Sequence, residues 1–250
     1  MALKIRPLHV GTLTGFTRAA VTYQRGYTDP VDVVVLMFLI TGGEHPVLVD
    51  TGTGTPEQAR ELHGIGLTRP PEQEPLAALA AAGVDPAEIK TVVNTHLHWD
   101  HCSNNDLFPN ARIFVQKSEL AYAVDPLEPN LKTYERRPGT QPGWVRAIGA
   151  MSTVAGDAEL LPGISLVHLP GHTPGSQGVL VRAGNTSYLI AGDCVSCQAN
   201  WDGDELVSHI PSGGFTNLHD YMDSFAKIER LDCVVIPSHD PVVLEHEIFQ

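Results

Sequence analysis

Positive charge is scarce in this chain. Lys and Arg total 16 against 29 Asp and Glu, giving a formal net charge of −13. Nucleic-acid backbones and anionic membrane surfaces call for a basic face, so neither is expected as a partner. Long apolar runs are also lacking. The longest, residues 31–40, is interrupted by Asp32 and falls far short of the roughly 20 residues needed to span a bilayer. Residues 1–7 lack the apolar centre of a signal peptide, so a cytoplasmic location is expected. Cysteines are few: Cys102, Cys194, Cys197 and Cys233. Cys194 and Cys197 form a Cys-x-x-Cys pair with no second pair at zinc-ribbon spacing, which argues against a structural zinc site. Reduced thiols are expected for all four. Short-period repeats and low-complexity tracts are absent.

What is present is ordinary in bulk: 250 residues, 42% hydrophobic and 18% charged, enough for a large buried core. One stretch is not ordinary. Thr95-His96-Leu97-His98-Trp99-Asp100-His101 places three imidazoles and a carboxylate within six positions. These are the usual ligands of zinc and other borderline divalent metals. In an extended or turning segment His96 and His98 point to one side while Asp100 and His101 lie beyond the turn. One loop can then feed two adjacent metals.

Strands alternate with helices along the chain. Apolar segments at 31–40, 46–50, 89–94, 111–116, 164–169, 178–182, 187–191 and 232–236 read as strands. Thr55-Pro56-Glu57-Gln58 carries a cap, a proline at the first helical position and a glutamine three residues after the cap, so a short helix starts there. An alanine-rich segment at 74–82 stops at Gly83 as a second helix. A third, at 218–231, presents Leu218, Tyr221, Met222, Phe225 and Ile228 at helical spacing as its buried face. Residues 11–30 read as a loop containing Phe16, Tyr23 and Tyr27, and residues 126–149 as an irregular lid, linker or dimer surface. Two similar halves, about 1–125 and 150–250, predict one α/β domain over 1–250: an αββα sandwich of two mixed sheets packed face to face with helices outside.

Three more metal-ligand types sit where predicted strands end, which is where sites are commonly built. They are His172 in Pro170-Gly171-His172-Thr173-Pro174-Gly175, Asp193 in Ala191-Gly192-Asp193, and His239 in Pro237-Ser238-His239-Asp240. Taken singly, each reads as a hydrogen-bonded loop residue or a helix cap.

Together with the histidine cluster, this ordered set resembles the metallo-β-lactamase superfamily. The cluster is similar to its His-x-His-x-Asp-His motif. The resemblance implies that His96, His98 and His172 hold one metal and that Asp100, His101 and His239 hold a second, with Asp193 bridging. It also implies that Asp50, in Val49-Asp50-Thr51-Gly52, steadies the ligand loop from behind. The two divalent ions, zinc in the leading reading and Mn, Fe or Co as alternatives, would supply a bridging hydroxide to attack an ester, lactone, amide or thioester. Asp100 would steer the nucleophile and carry a proton to the leaving alkoxide.

Within the superfamily, His98 separates this chain from flavodiiron oxygen reductases, which carry glutamate there. Asp193 separates it from the best-known zinc β-lactamases, which lack the bridging aspartate. Glyoxalase II relatives carry a helical C-terminal domain, for which the 11 residues after His239 leave no room. The group most similar is the N-acyl homoserine lactonases, which share an aromatic within the cluster, here Trp99. Those proteins place a tyrosine three residues after the bridging aspartate, where this chain has Ser196. Ser196, or Tyr23, Tyr27 or His209 from other loops, is then expected to contact the substrate, a small molecule with an ester or lactone carbonyl. A hydrolase of another ester, amide or thioester is the alternative, and a non-catalytic metal-binding protein a further one. The loop at 11–30 and the stretch at 126–149 offer surfaces for a homodimer. His9, His45, His63, His168, His219 and His246 have no motif context.

Overall fold

A strand that is apolar at every position must be covered on both faces, and that demand organises the molecule. A computed structural model describes residues 2–250. Strands β1 (Lys4–Thr17), β2 (Pro30–Thr41), β3 (Val47–Val49), β4 (Gly66–Thr68), β5 (Thr91–Val93), β6 (Arg112–Gln116) and β7 (Met151–Val154) form a seven-stranded sheet in the order β4-β1-β2-β3-β5-β6-β7. Strands β8 (Ala158–Leu161), β9 (Ile164–His168), β10 (Gln177–Ala183), β11 (Thr186–Ile190) and β12 (Val234–Ile236) form a five-stranded sheet in the order β12-β11-β10-β9-β8. Both are mixed, with β3, β5, β6 and β7 parallel in the first and β11 parallel to β12 in the second.

The apolar run in β2 shows the layering. Val34, Leu36, Phe38 and Ile40 face the second sheet and pack with Leu166, Val179, Val181 and Ile190. Val33, Val35, Met37 and Leu39 face the other way, onto Ala59, Ala78 and Leu79. Ala59 follows helix α1 (Pro56–Gln58), whose Thr55 cap and Gln58 form the expected capping box, and the other two lie on α2 (Pro75–Ala81). Four further helices follow: α3 (Trp99–Cys102), α4 (Lys117–Val124), α5 (Gly143–Arg146) and α6 (Gln198–Asp202). On the outer face of the second sheet, α7 (Leu218–Glu229) buries Tyr221, Phe225 and Ile228 against Val167, Leu169 and Leu189. The result is the αββα sandwich.

Two expectations are corrected, and one unassigned stretch proves regular. Part of the predicted loop at 11–30 is strand: β1 runs to Thr17, with register shifts on either side of Thr12 and Leu13. Gly11 and Gly15, both at positive φ, sit in those irregular stretches and break the alternation that would have marked a strand. Residues 151–161 supply two strands, β7 and β8, that sequence pattern had not distinguished. On α7, Leu218 and Met222 remain 38% and 44% exposed. The face laid on the sheet centres on Tyr221, Ser224, Phe225 and Ile228, and Met222 is one helical step away from it.

Among the described residues no helix is long and apolar enough to cross a membrane. All four cysteines are free, Cys102 and Cys194 among them buried. Residues 126–149 are not a detached linker. They bury Tyr134 and Trp144 and dock on the histidine loop, where the Trp99 amide donates to the Thr133 carbonyl at 3.0 Å.

Candidate metal centre

The ligand loops all leave the ends of strands. His96 and His98 follow β5, and His98 is the last extended residue before α3 turns the chain. That turn sends Asp100 and His101 elsewhere. His172 follows β9, Asp193 follows β11 and His239 follows β12. Gly171 allows His172 its place. Its φ is +136°, and a Cβ there would lie 2.4 Å from the Tyr221 Cα on α7.

These residues converge into three overlapping groups: His96, His98 and His172; His96, His101 and Asp193; and Asp100, His101 and His239. Within each group the donor atoms lie within 4.8 Å of one another. Asp193 stands between the first and last. Its Oδ2 is 3.4 Å from His172 Nε2, while its Oδ1 is 3.3 Å from His101 Nε2 and 3.1 Å from His239 Nε2. Ser238 Oγ donates to that Oδ1 at 2.7 Å, and the Tyr221 hydroxyl donates to the Asp193 carbonyl.

The outward ring nitrogens are spoken for. Nδ1 of His172 donates to the Gly214 carbonyl at 2.7 Å, Nδ1 of His239 to the Val34 carbonyl at 2.8 Å, and Nδ1 of His101 to Asp50 Oδ2 at 2.8 Å. Each leaves Nε2 facing the centre with a lone pair, the tautomer a metal ligand requires. Asp50 holds a left-handed conformation (φ 58°), tolerated better by aspartate than by most residues. From there it also accepts the Thr95 amide and hydroxyl, each at 2.7 Å.

Charge in this cluster is sharply divided. Burial drives His96 and His98 well below the ordinary histidine value, and the neighbouring imidazoles add to it. For His101, burial opposes the charge, but Asp193, Asp100 and Asp50 outweigh it and hold the ring well above its usual value. His239 is raised the same way by Asp193. Burial works against the Asp193 carboxylate, yet His239, His101 and His172 pull it well below the ordinary range. Nε2 of His96 and of His98 are buried with no hydrogen-bond partner. Such orphaned nitrogens are costly unless a cation takes up the site's lone pairs. A donor set of five imidazoles and two carboxylates suits two divalent ions.

A cavity of about 250 Å³ opens onto this centre. Leu13, Phe16, Val21, Val33, Ile65 and Phe215 form an apolar wall; Asp100, His172, Asp193 and His239 form its polar end. Trp99 and Ser196 line it as well. Trp99 is held by a stacked His63 ring at 3.9 Å. The other three residues named as substrate contacts do not line it. Tyr23 packs edge-on against Phe215 and Tyr27 is 68% exposed. His209 stacks on Trp201, with Nδ1 turned to the Trp201 carbonyl.

Residues 30–239 match the family model for the metallo-beta-lactamase superfamily. The chain belongs to that superfamily. Among curated relatives, it is 27% identical over 237 residues to an N-acyl homoserine lactonase of a Bacillus species, covering 88% of this chain and 84% of that one. It is 34% identical over 173 residues to the N-acyl homoserine lactonase AttM of Agrobacterium fabrum, covering 65% and 62%. Among solved structures, AiiA of B. thuringiensis with N-decanoyl-L-homoserine bound at its active site superposes with a TM-score of 0.79 at 23% identity, over 98% of this chain and 96% of that one. AidC, a dizinc quorum-quenching lactonase, gives a TM-score of 0.71 at 19% identity, over 96% and 88%. These superpositions establish the superfamily's sandwich fold for this chain.

Several residues around the centre had no signal in the sequence. Ser238 beside His239 hydrogen-bonds to Asp193, and Glu119 on α4 accepts the Leu97 amide between His96 and His98. Asn130 and Thr133, from the irregular stretch, line the cavity. Apart from Ser238, which adjoins His239, they come from distant segments and carry no spacing pattern, so only tertiary structure assembles them.

Proposed function

We propose that this chain is a dinuclear metal-dependent hydrolase that opens the lactone ring of N-acyl homoserine lactones, with zinc as its metal. The observation that carries the reading is Asp193, which offers one carboxylate oxygen to His172 and the other to His101 and His239. A residue so placed would serve two ions at once. His96, His98 and His172 would hold one ion, and Asp100, His101 and His239 the other. When bound, such a pair supplies a water acidified toward neutrality and positive charge against a carbonyl.

The chain's own residues do the rest. The Asp100 side chain is 17% exposed, the most open of the carboxylates here, and its Oδ2 lies 3.8 Å from both His101 and His239 Nε2. It faces the cavity, placed to accept the proton of the attacking water and return it to the leaving alkoxide. The apolar wall opposite suits an acyl chain, which gains from leaving water. Trp99, fixed by His63, closes one side of the ring-binding end. The relatives named as N-acyl homoserine lactonases support this substrate class.

One feature favours a second reading. Ser196 stands where that group carries a tyrosine, so the substrate carbonyl would lack the phenol's hydrogen bond. A different lactone or ester would suit a site built this way. A panel of an N-acyl homoserine lactone, an aromatic lactone, a thioester and a phosphotriester tests both. Preferred turnover of the acyl-homoserine lactone is expected. Preference for another member would move the assignment to it, and failure on all four with metal bound would favour a binding protein.

A further inference from the structure

Glu119 is a carboxylate with no access to solvent, and it belongs to no ligand group. Its Oε1 accepts the Leu97 amide at 2.9 Å and the Tyr134 hydroxyl at 2.7 Å. Its Oε2 accepts Thr173 Oγ1 at 2.6 Å. Leu97 is the residue between His96 and His98, and Thr173 is the residue after His172. The one carboxylate therefore ties together the two loops that carry the three-histidine group. Gly175 brings the second loop down onto the same turn of α4: a Cβ there would lie 2.1 Å from the Glu119 amide nitrogen. Nothing comparable links Glu119 to Asp100, His101 or His239. On that side Asp50 holds the His101 ring, and through Thr95 it also anchors the start of the shared loop beside His96.

We propose that Glu119 is a positioning residue for one metal site only, holding the His96–His98 loop and the His172 loop at the separation the three-histidine ion requires. It acts through a backbone amide and a neighbouring hydroxyl, not by touching an imidazole. Buried carboxylates that accept several hydrogen bonds hold their donors in place when charged. Losing an outer partner of a metal ligand typically costs 10–100-fold in metal affinity. The Tyr134 bond extends the brace to residues 126–149, but it does not connect the two loops.

The test, which rests on the two-ion reading above, is zinc affinity measured by competition with a chelating dye in two backgrounds. His239→Ala leaves the three-histidine group intact, and His98→Ala leaves the other. Glu119→Gln is expected to weaken zinc binding by about 10–100-fold in the His239→Ala background and to leave it unchanged in the His98→Ala background. Thr173→Val cuts only the link to the His172 loop and should reproduce the selective loss in part. Tyr134→Phe keeps the ring and should leave zinc affinity unchanged in both. If Glu119→Gln folds poorly, Thr173→Val carries the test. Equal loss in both backgrounds, or no loss where the three histidines stand alone, would overturn the assignment. Failure of the unmutated protein to take up zinc would overturn the two-ion reading itself, and this inference with it.

Discussion

Asp50 and Glu119 are both buried carboxylates at the rim of the centre, yet they grip it at different depths. Asp50 reaches a ligand directly, taking the Nδ1 proton of His101, and it holds the root of the loop through the Thr95 amide and hydroxyl. Glu119 stays one residue away from every ligand and joins two loops instead. The first arrangement fixes a ring's tautomer and orientation; the second fixes the distance between loops. The half braced by Asp50 also holds the raised imidazoles, His101 and His239, whereas His96 and His98 in the other half are driven to their neutral form. Two ions of one kind would thus meet two different electrostatic settings.

The contrast breaks most severely at the residue that both halves share. Asp193→Ala is expected to reduce bound metal to about one ion per chain and turnover by roughly 10²-fold or more, checked by metal analysis and lactone hydrolysis. Unchanged turnover would remove Asp193 from the bridging position. Next comes Asp50→Asn, the mirror of the Glu119 substitution. Zinc affinity should fall by about 10–100-fold where His98→Ala leaves only the half whose His101 ring Asp50 holds, and fall less where His239→Ala leaves the other, which Asp50 reaches only through Thr95 beside His96. A smaller effect follows from charge. The carboxylates around them raise His101 and His239 above the ordinary histidine value, and a metal binds only the unprotonated Nε2, so protons and metal compete for these two rings. Zinc uptake by the metal-free protein at neutral pH should release protons, read in weakly buffered solution, and apparent affinity should rise with pH. The smallest effect is expected far from both halves. Tyr27→Ala should leave KM unchanged and stability within about 0.5 kcal/mol, because the ring is exposed and outside the cavity.

Legibility in the sequence tracks how local each feature is. His96 to His101 are contiguous, so their density is visible without a fold. His172, Asp193 and His239 sit after apolar strand segments, and their joint order carries the family resemblance. The sandwich followed from two similar halves of alternating strands and helices, and the strand that is apolar throughout 33–40 bears it out by taking cover on both faces. Glu119 was not legible. In Lys117-Ser118-Glu119 it reads as an ordinary helical surface residue, and only the folding of α4 beneath two loops buries it. The N-terminal strand was obscured by Gly11 and Gly15, whose irregular stretches break the alternating pattern. Substrate contacts fared worst, because a cavity wall draws single residues from many segments. Tyr23 and Tyr27 have suitable chemistry for a substrate contact, but Tyr23 packs on Phe215, Tyr27 is exposed, and neither lines the cavity.

The most direct test of the central claim combines metal content with turnover on a single preparation. Purified protein should carry about two divalent ions per chain. Stripping them should abolish hydrolysis of an N-acyl homoserine lactone, and zinc should restore it. A metal-free preparation that opens the lactone at the full rate would contradict the account.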